Sequence, residues 1–544
     1  MAAPRKPIKG LRCPKCGGET IAHAGTTVDS RGSSGGQRYA CSTHQNRKKI
    51  NCWNGTRPIG IEEHERSGVP RKRAARLLRR VKGAKGVRRY VITSAQNATP
   101  VNKPFFAALR RYCEANDAQL IVIPYLYKNP TSRWSSRAAA NAWWAQELHP
   151  YLLDYRVELN DNLLLLGDIK TQPTASRPLE GFETISGARS AIIGHPKLEL
   201  IAVPTPQSKL PKVLTTTGAV TEKNYIPSKA GKKGEFHHTF GAAVVEIVGK
   251  LFYLRQLNAL KDGSFCDWDY EYFPDRPREK AHVQAVVCGD EHREFKDDAV
   301  VSAVYGPGGI VEQLKPDWLV RHDIHDFYAG SHWHKGDPFI RYAKHKAGVD
   351  DVKAELQKTF DHLGRTTPQG THSLVVFSNH HDHLTRWARD TDNARDWRNC
   401  VFWAQCYEYA CRTSHMTPSG VSIPDLFAYW GRQMLRPDHA KQVTFLEPGE
   451  SRLISGILVG YHGNEGANGA RGSITTFAKI GAKTFVGHSH IPGIRDGAYQ
   501  VGTFGRLDVT FIRGQPSSWL NTGGLIYRNG KRSLFNIING KARP

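Results

Sequence analysis

Val283-Gln284-Ala285-Val286-Val287-Cys288 runs straight into Gly289-Asp290-Glu291-His292, an apolar strand ending on two metal-ligand side chains. The pattern recurs down the chain. Trp318 to Val320 leads to His322-Asp323-Ile324-His325-Asp326, and Leu374 to Phe377 leads to Ser378-Asn379-His380-His381-Asp382. Ile457 to Gly460 leads to Tyr461-His462-Gly463, and Thr484 to Val486 leads to Gly487-His488-Ser489-His490. In an α/β sheet, strand ends are delivered to one edge, where ligands and substrates bind. Side chains alternate along extended backbone, so the two ligands of a D-x-H or H-x-H lie on one side. One such pair is an ordinary polar loop in a chain with 24 histidines. Five in order, each behind a buried strand, make a nest of oxygen and nitrogen donors suited to divalent cations.

Outward from this region, 544 residues are too many for one ordinary core and imply two or three domains. A composition 39% hydrophobic and 10% aromatic can fill such cores. The longest apolar stretch, Gly241 to Leu254, is broken by Glu246 and Lys250, short of the roughly 20 apolar residues of a membrane span. No membrane partner is expected. The opening Met-Ala-Ala-Pro-Arg-Lys-Pro-Ile-Lys-Gly is basic and has no apolar core, which predicts a cytoplasmic location rather than secretion. The net charge of +26 is unevenly spread: residues 1–100 hold 22 Lys or Arg against 5 Asp or Glu. A concentrated excess of this kind points to a polyanionic partner, nucleic acid before membrane.

Four regions follow from these shifts. Residues 1–60 carry Cys13-Pro14-Lys15-Cys16 and Cys41-Ser42-Thr43-His44, the spacing of a Cys₃His zinc ribbon, with Cys52 a rival to His44 as fourth ligand. The zinc would be structural. Residues 61–88 include a basic helical stretch, Pro70 to Lys82, with Arg71, Lys72, Arg73, Arg76, Arg79 and Arg80. Residues 89–279 read as a mixed α/β domain. In it, Tyr90 to Thr93 forms a strand, Lys103 to Ala115 a helix and Gln119 to Pro124 a second strand. Shorter apolar runs at Leu163 to Leu166, Ser190 to Ile193 and Leu198 to Val203 carry no recognisable chemistry. Residues 280–544 form the α/β domain that carries the metal ligands.

The ordered motifs of that last region resemble the calcineurin-like metallophosphoesterase family: D-x-H, G-D-x-x-D, G-N-H-[DE], a lone His before Gly, and G-H-x-H. The matching residues are Asp290/His292, Asp323/Asp326, Asn379/His380, His462 and His488/His490. The resemblance implies an α/β sandwich with one cation on Asp290, His292 and His490 and a second on Asn379, His462 and His488. Asp323 would bridge them and His380 would act beside the phosphate. Two cations, for which these donors suit Mn²⁺ well with Fe or Zn as alternatives, would activate water for attack on phosphorus. The chain departs from the family pattern at His322 and Ser378, where Gly is usual, and at Phe327 and His381. The Gly-rich loop from Gly463 to Ser473, with Asn468 and Arg471, is a candidate wrap for substrate phosphate.

The chain also resembles the large host-DNA-degrading phosphoesterases of T5-like phages, in the Ser378-Asn379-His380 variant and in the segment from His462 to Ser473. That resemblance implies a Mn²⁺-dependent DNase acting on host DNA as a homo-oligomer. A phosphatase or cyclic-nucleotide phosphodiesterase would use the same metal site but leaves the basic N-terminal region without a role. A nucleic-acid-binding protein with a degenerate site is the third reading, disfavoured because all seven ligand positions are filled.

Overall fold

The computed structural model describes residues 20–28, 34–41, 54–55, 88–127, 143–207 and 209–543. The chain divides into Met1–Gly83 and Ala84–Pro544. In the first unit the strands Thr20–Val28, Ser34–Cys41 and Asn54–Gly55 form an antiparallel sheet in that order. The expected zinc ligands Cys13, Cys16 and His44, their rival Cys52, and the basic stretch from Pro70 to Lys82 lie outside the described residues. Cys41 is described only as the last residue of its strand.

The second unit begins with a parallel β-α-β unit. Arg88–Gln96 pairs in register with Ala118–Tyr125, joined by the helix Lys103–Ala115. The helix starts where the sequence dictates: the Asn102 side chain accepts from the Phe105 N–H, and Pro104 occupies the first turn, where its missing N–H costs nothing. Phe105, Ala108, Leu109 and Tyr112 recur at helical spacing and are the buried face. The apolar stretch broken by Glu246 and Lys250 is an antiparallel hairpin, Gly241–Val248 with Leu251–Asn258. Glu246 is 1% exposed and lies 3.1 Å from both Arg255 and Arg89, so its charge is matched inside the sheet. Among the described residues no helix is long and apolar enough to cross a membrane.

A six-stranded sheet carries the first ligand-bearing strands. Its order is Val443–Phe445, His372–Val375, Trp318–Arg321, Val283–Val287, Thr522–Tyr527, Arg532–Asn536. The first four are parallel and the last two antiparallel to their neighbours. Near-continuous apolar sequence suits strands covered on both faces. Helices supply the cover: Val352–Arg365 buries Leu356, Phe360 and Leu363, and Asn379–Arg389 buries Leu384, Trp387 and Ala388.

The remaining ligand-bearing strands, Ile457–Leu458 and Thr484–Val486, belong to a ten-stranded mixed sheet that also contains Leu163–Leu166, Ser190–Ile193, Leu200–Val203 and Lys212–Thr216. Leu200 and Ile201 pair with Ile494 and Gly493. The boundary expected at residue 279/280 is therefore crossed by one continuous sheet. Each side of that boundary supplies five of the ten strands, and the pairing that joins them links residues far apart in sequence.

The two large sheets meet through Arg532. Its Nη1 donates to the carbonyls of Thr484 and Gly497, both at 2.8 Å, and its guanidinium lies 4.2 Å from the centre of the Tyr499 ring. Beside it, Gly524 leaves no room for a side chain, because a Cβ there would overlap the Phe485 ring. Gly524→Ala is predicted to cost about 1–3 kcal/mol of stability, the usual cost of overpacking a tight core. A denaturation midpoint unchanged from the parent would show that the sheets do not meet in this way.

Candidate metal centre

The ligand-bearing loops are aligned by backbone pairing that outlasts the strands. Val287 pairs with Val320 at the end of the parallel ladder. Beyond it, Cys288 N donates to Val320 O at 2.9 Å, Glu291 N to His322 O at 3.1 Å, His292 N to Asp323 O at 2.7 Å and Arg293 N to Ile324 O at 3.3 Å. The Asp290–His292 and His322–Asp323 segments thus run side by side. Between them lies a buried ion pair in which Arg321 Nε and Nη2 grip the two carboxylate oxygens of Glu291, the second at 2.7 Å. Arg321 also reaches Thr366 Oγ1 at 3.0 Å, and its guanidinium sits over the Tyr305 ring. From the other side, Asp290 is fixed by Phe504 N and Thr503 Oγ1, which donate to its carbonyl at 2.8 and 2.7 Å. Gly487 must lack a side chain: a Cβ there would collide with Asp290 Oδ1.

The side chains converge tightly. Asp290, His292, Asp323 and His490 each offer a ligand atom, all within 4.8 Å of one another, and so do Asp323, His462 and His488. Asp323 belongs to both groups. His292 Nε2 and His490 Nε2 face each other at 2.8 Å, His490 Nε2 lies 3.3 Å from Asp290 Oδ2, and His462 Nε2 lies 3.0 Å from Asp323 Oδ2. Both Asp290 carboxylate oxygens, Asp323 Oδ1, Asn379 Oδ1, His462 Nε2 and His490 Nδ1 are buried without a well-aligned hydrogen-bond partner. Buried polar atoms are normally satisfied, so a cluster of unpaired oxygen and nitrogen donors fits bound cations. Four residues of the converging groups, His292, Asp323, His488 and His490, also hold left-handed backbone, at φ 40°, 39°, 73° and 60°. Such strain in non-glycine residues persists where the surrounding structure over-determines it.

The electrostatics match. Burial pushes Asp290 up to about 7, helped by the neighbouring Asp323 charge and opposed by His462 and His292. Burial acts the same way on Asp323, but His462 and His380 outweigh it and hold its carboxyl well below the usual range. Burial lowers His322 to about 3, His488 to about 4 and His490 well below the ordinary value, which leaves neutral imidazoles with free lone pairs. For His488 the Arg471 charge adds a smaller lowering. Burial also opposes the charge on His292, yet its bond to Asp326 and the Asp323 and Asp290 carboxylates raise it to about 9. A cation taking these ligands displaces that proton.

No protein-family model matches the chain. It is 31% identical over 466 residues to Protein A1 of Escherichia phage T5, an overlap spanning 84% of this chain and 82% of that protein. The chain belongs to the Protein A1 family. The kinship agrees with the expected resemblance to a phage protein, and the matched span takes in most of both chains.

Of the expected residues, Asn379 opens the Asn379–Arg389 helix with its Oδ1 buried, and His380, partly exposed, lies beside His292 with ring centres 4.7 Å apart. His380 Nδ1 donates to the Asp326 carbonyl at 3.0 Å, leaving Nε2 as its exchangeable nitrogen. Asn468 and Arg471 are exposed on a loop closed by Gly472 N, which donates to Asn464 O at 3.0 Å. Several residues with no expected role also take part. Asp326 Oδ1 accepts from His292 Nδ1 at 3.1 Å, and His322 Nδ1 lies 3.3 Å from His462 Nδ1, so each orients a neighbouring imidazole. The departure of His322 from the family glycine was a signal for the second of these. The Arg321–Glu291 pair gave none, since neither residue is unusual beside a polar loop.

Removing one partner of a buried ion pair leaves an uncompensated charge. Glu291→Ala is predicted to cost about 3–5 kcal/mol, read from the urea midpoint. Despite burial, which raises it, Arg321 and His362 hold Glu291 down to about 2, against an ordinary 4.5. Its contribution is therefore complete above pH 4.5 and lost as the pH falls toward 2. Glu291→Gln should flatten the acid limb of the stability profile in that window, and an unchanged limb would contradict the assignment.

Proposed function

We propose that the protein is a metal-dependent phosphoesterase of the calcineurin-like kind that hydrolyses DNA phosphodiester bonds, a phage nuclease directed at host DNA. The observation carrying this reading is the convergence of Asp290, His292, Asp323, His462, His488 and His490, with both Asp290 carboxylate oxygens and Asp323 Oδ1 buried and unpaired. In this reading Asp290, His292 and His490 hold one divalent cation, Asn379, His462 and His488 hold the other, and Asp323 serves both. Bound cations of the Mn²⁺ class would supply Lewis-acid charge to the phosphoryl group and acidify water.

The chain's own residues do the rest. Asp326 holds the His292 imidazole through Nδ1, so that Nε2 faces the centre. The Asp326 carbonyl occupies the His380 Nδ1–H and leaves Nε2 as the nitrogen that, in the imidazolium form, would give its proton to the departing oxygen. The exposed Arg471 offers a guanidinium to a backbone phosphate. The net charge of +26, concentrated in residues 1–100, favours a long polyanion over a small phosphoester.

Linear duplex DNA incubated with the purified protein and Mn²⁺ should be degraded, and Asp323→Ala should abolish the degradation. Steady hydrolysis of a small phosphomonoester with no attack on duplex or single-stranded DNA would move the reading to a phosphatase. His380→Gln should lower the turnover rate by about 10²–10⁴-fold while leaving DNA affinity within a small factor. Equal losses in both quantities would remove His380 from proton transfer.

A further inference from the structure

Next to Asp326, whose N–H donates to Glu294, three more ligand-type side chains converge. Glu294 comes from the short turn Arg293–Phe295 directly after His292, His325 from the loop after Asp323, and Glu355 from the first turn of the Val352–Arg365 helix. Each offers a ligand atom within 4.8 Å of the other two. His325 is fully buried, Glu355 is 8% exposed and the Glu294 side chain is 10% exposed.

The hydrogen bonds fix the chemistry. The Thr359 hydroxyl donates to the carbonyl of Glu355 one turn back, at 3.1 Å. Its oxygen is thereby left to accept from His325 Nδ1, 3.0 Å away. That assigns the proton to Nδ1 and leaves Nε2 with a bare lone pair, and Nε2 is buried with no hydrogen-bond partner. It points at another acceptor, Glu355 Oε1, at 3.7 Å.

The carboxylates also act as acceptors. Glu355 Oε1 accepts from Tyr328 N at 2.7 Å and Oε2 from Ala329 N, while Glu294 Oε2 accepts from Asp326 N at 2.9 Å. Of the nearby cationic side chains, Arg293 Nη1 stands 3.9 Å from Glu294 Oε1, and Lys344 donates to the Tyr328 carbonyl. Two carboxylates and an imidazole lone pair thus meet in a buried space against a single guanidinium 3.9 Å from one of them, an arrangement that is costly to bury.

We propose that Glu294, His325 and Glu355 form a third cation site, which takes a divalent metal of the Mn²⁺ or Zn²⁺ class through two carboxylate oxygens and His325 Nε2. No ligand is shared with the two-cation set, and the site's role is positional. A cation there ties the turn after His292 and the loop after Asp323 to the Val352–Arg365 helix. The backbone that carries the left-handed His292 and Asp323 is thereby held in place. Two oxygens and one nitrogen suit these metals, whereas the cysteine thiolates of the N-terminal region do not favour Mn²⁺.

The test counts Mn²⁺ on the metal-stripped full chain, by loss of the free-ion paramagnetic resonance signal. Neither DNA nor turnover is involved, so the result is independent of the nuclease reading. The unaltered protein should hold three Mn²⁺ per chain, and Glu355→Gln and His325→Gln should each hold two. Asp323→Asn should lose ions from the two-cation set while keeping the third. Failure of Asp323→Asn to lose any would count against the main centre alone. If both Glu355→Gln and His325→Gln hold as many ions as the parent, or the parent holds only two, the third site is overturned. Should either variant fail to fold, the count on the parent protein decides.

Discussion

The paired loops after Val287 and Val320 are what the centre depends on, and the Arg321–Glu291 ion pair makes their pairing durable. Loop backbone that continues a ladder beyond its strands is normally free to splay into water. Here the residue between Asp290 and His292 is a buried anion, and the residue before His322 and Asp323 is a buried cation. Each loop therefore presents ligands on one side and a matched charge on the other. Separating the loops would expose two desolvated ions to a protein interior, so the ion pair sets their spacing. Left-handed backbone at His292 and Asp323 can be sustained because the flanking residues cannot relax.

Around this axis the fold works as a convergence device. The parallel strands Val283–Val287, Trp318–Arg321 and His372–Val375 lead into Asp290, Asp323 and His380, and the ten-stranded sheet brings His462, His488 and His490 against Asp290 and Asp323. Close approach between the two groups needs small residues, and Gly487 provides it against Asp290. Outer residues then aim the imidazoles: Asp326 for His292, His322 for His462, and a backbone carbonyl for His380. These contacts decide which ring nitrogen is free, and hence which can bind a cation or carry a proton.

Much of this was legible in the sequence because the signals are local. The Lys103–Ala115 helix is bounded by its own cap and proline, and Leu163–Leu166 and Ser190–Ile193 are short apolar runs between polar turns that match their strands residue for residue. The ligand loops were legible for the same reason, each being a strand followed at once by Asp, Asn or His. The partners in space were not. Glu246 reads as a break in an apolar stretch until Arg255 and Arg89 are seen against it, and Glu355 reads as an ordinary first-turn helix residue until it meets His325. Pairing between Leu200 and Ile494 leaves no mark in either segment, because any edge strand of similar composition would serve.

The order of residues around the centre bears on how the protein is made. Ligands appear in sequence from Asp290 to His490, and the Val283–Val287 strand gains its second neighbour only when Thr522–Tyr527 arrives. The sheet that carries His488 and His490 likewise joins strands from both ends of the second unit. A nascent chain still on the ribosome has the first half of the ligand set without the second, and a sheet with an open edge where the centre should be. The centre therefore cannot come together until the chain has been made as far as the Thr522–Tyr527 strand, well after its first residues have left the ribosome.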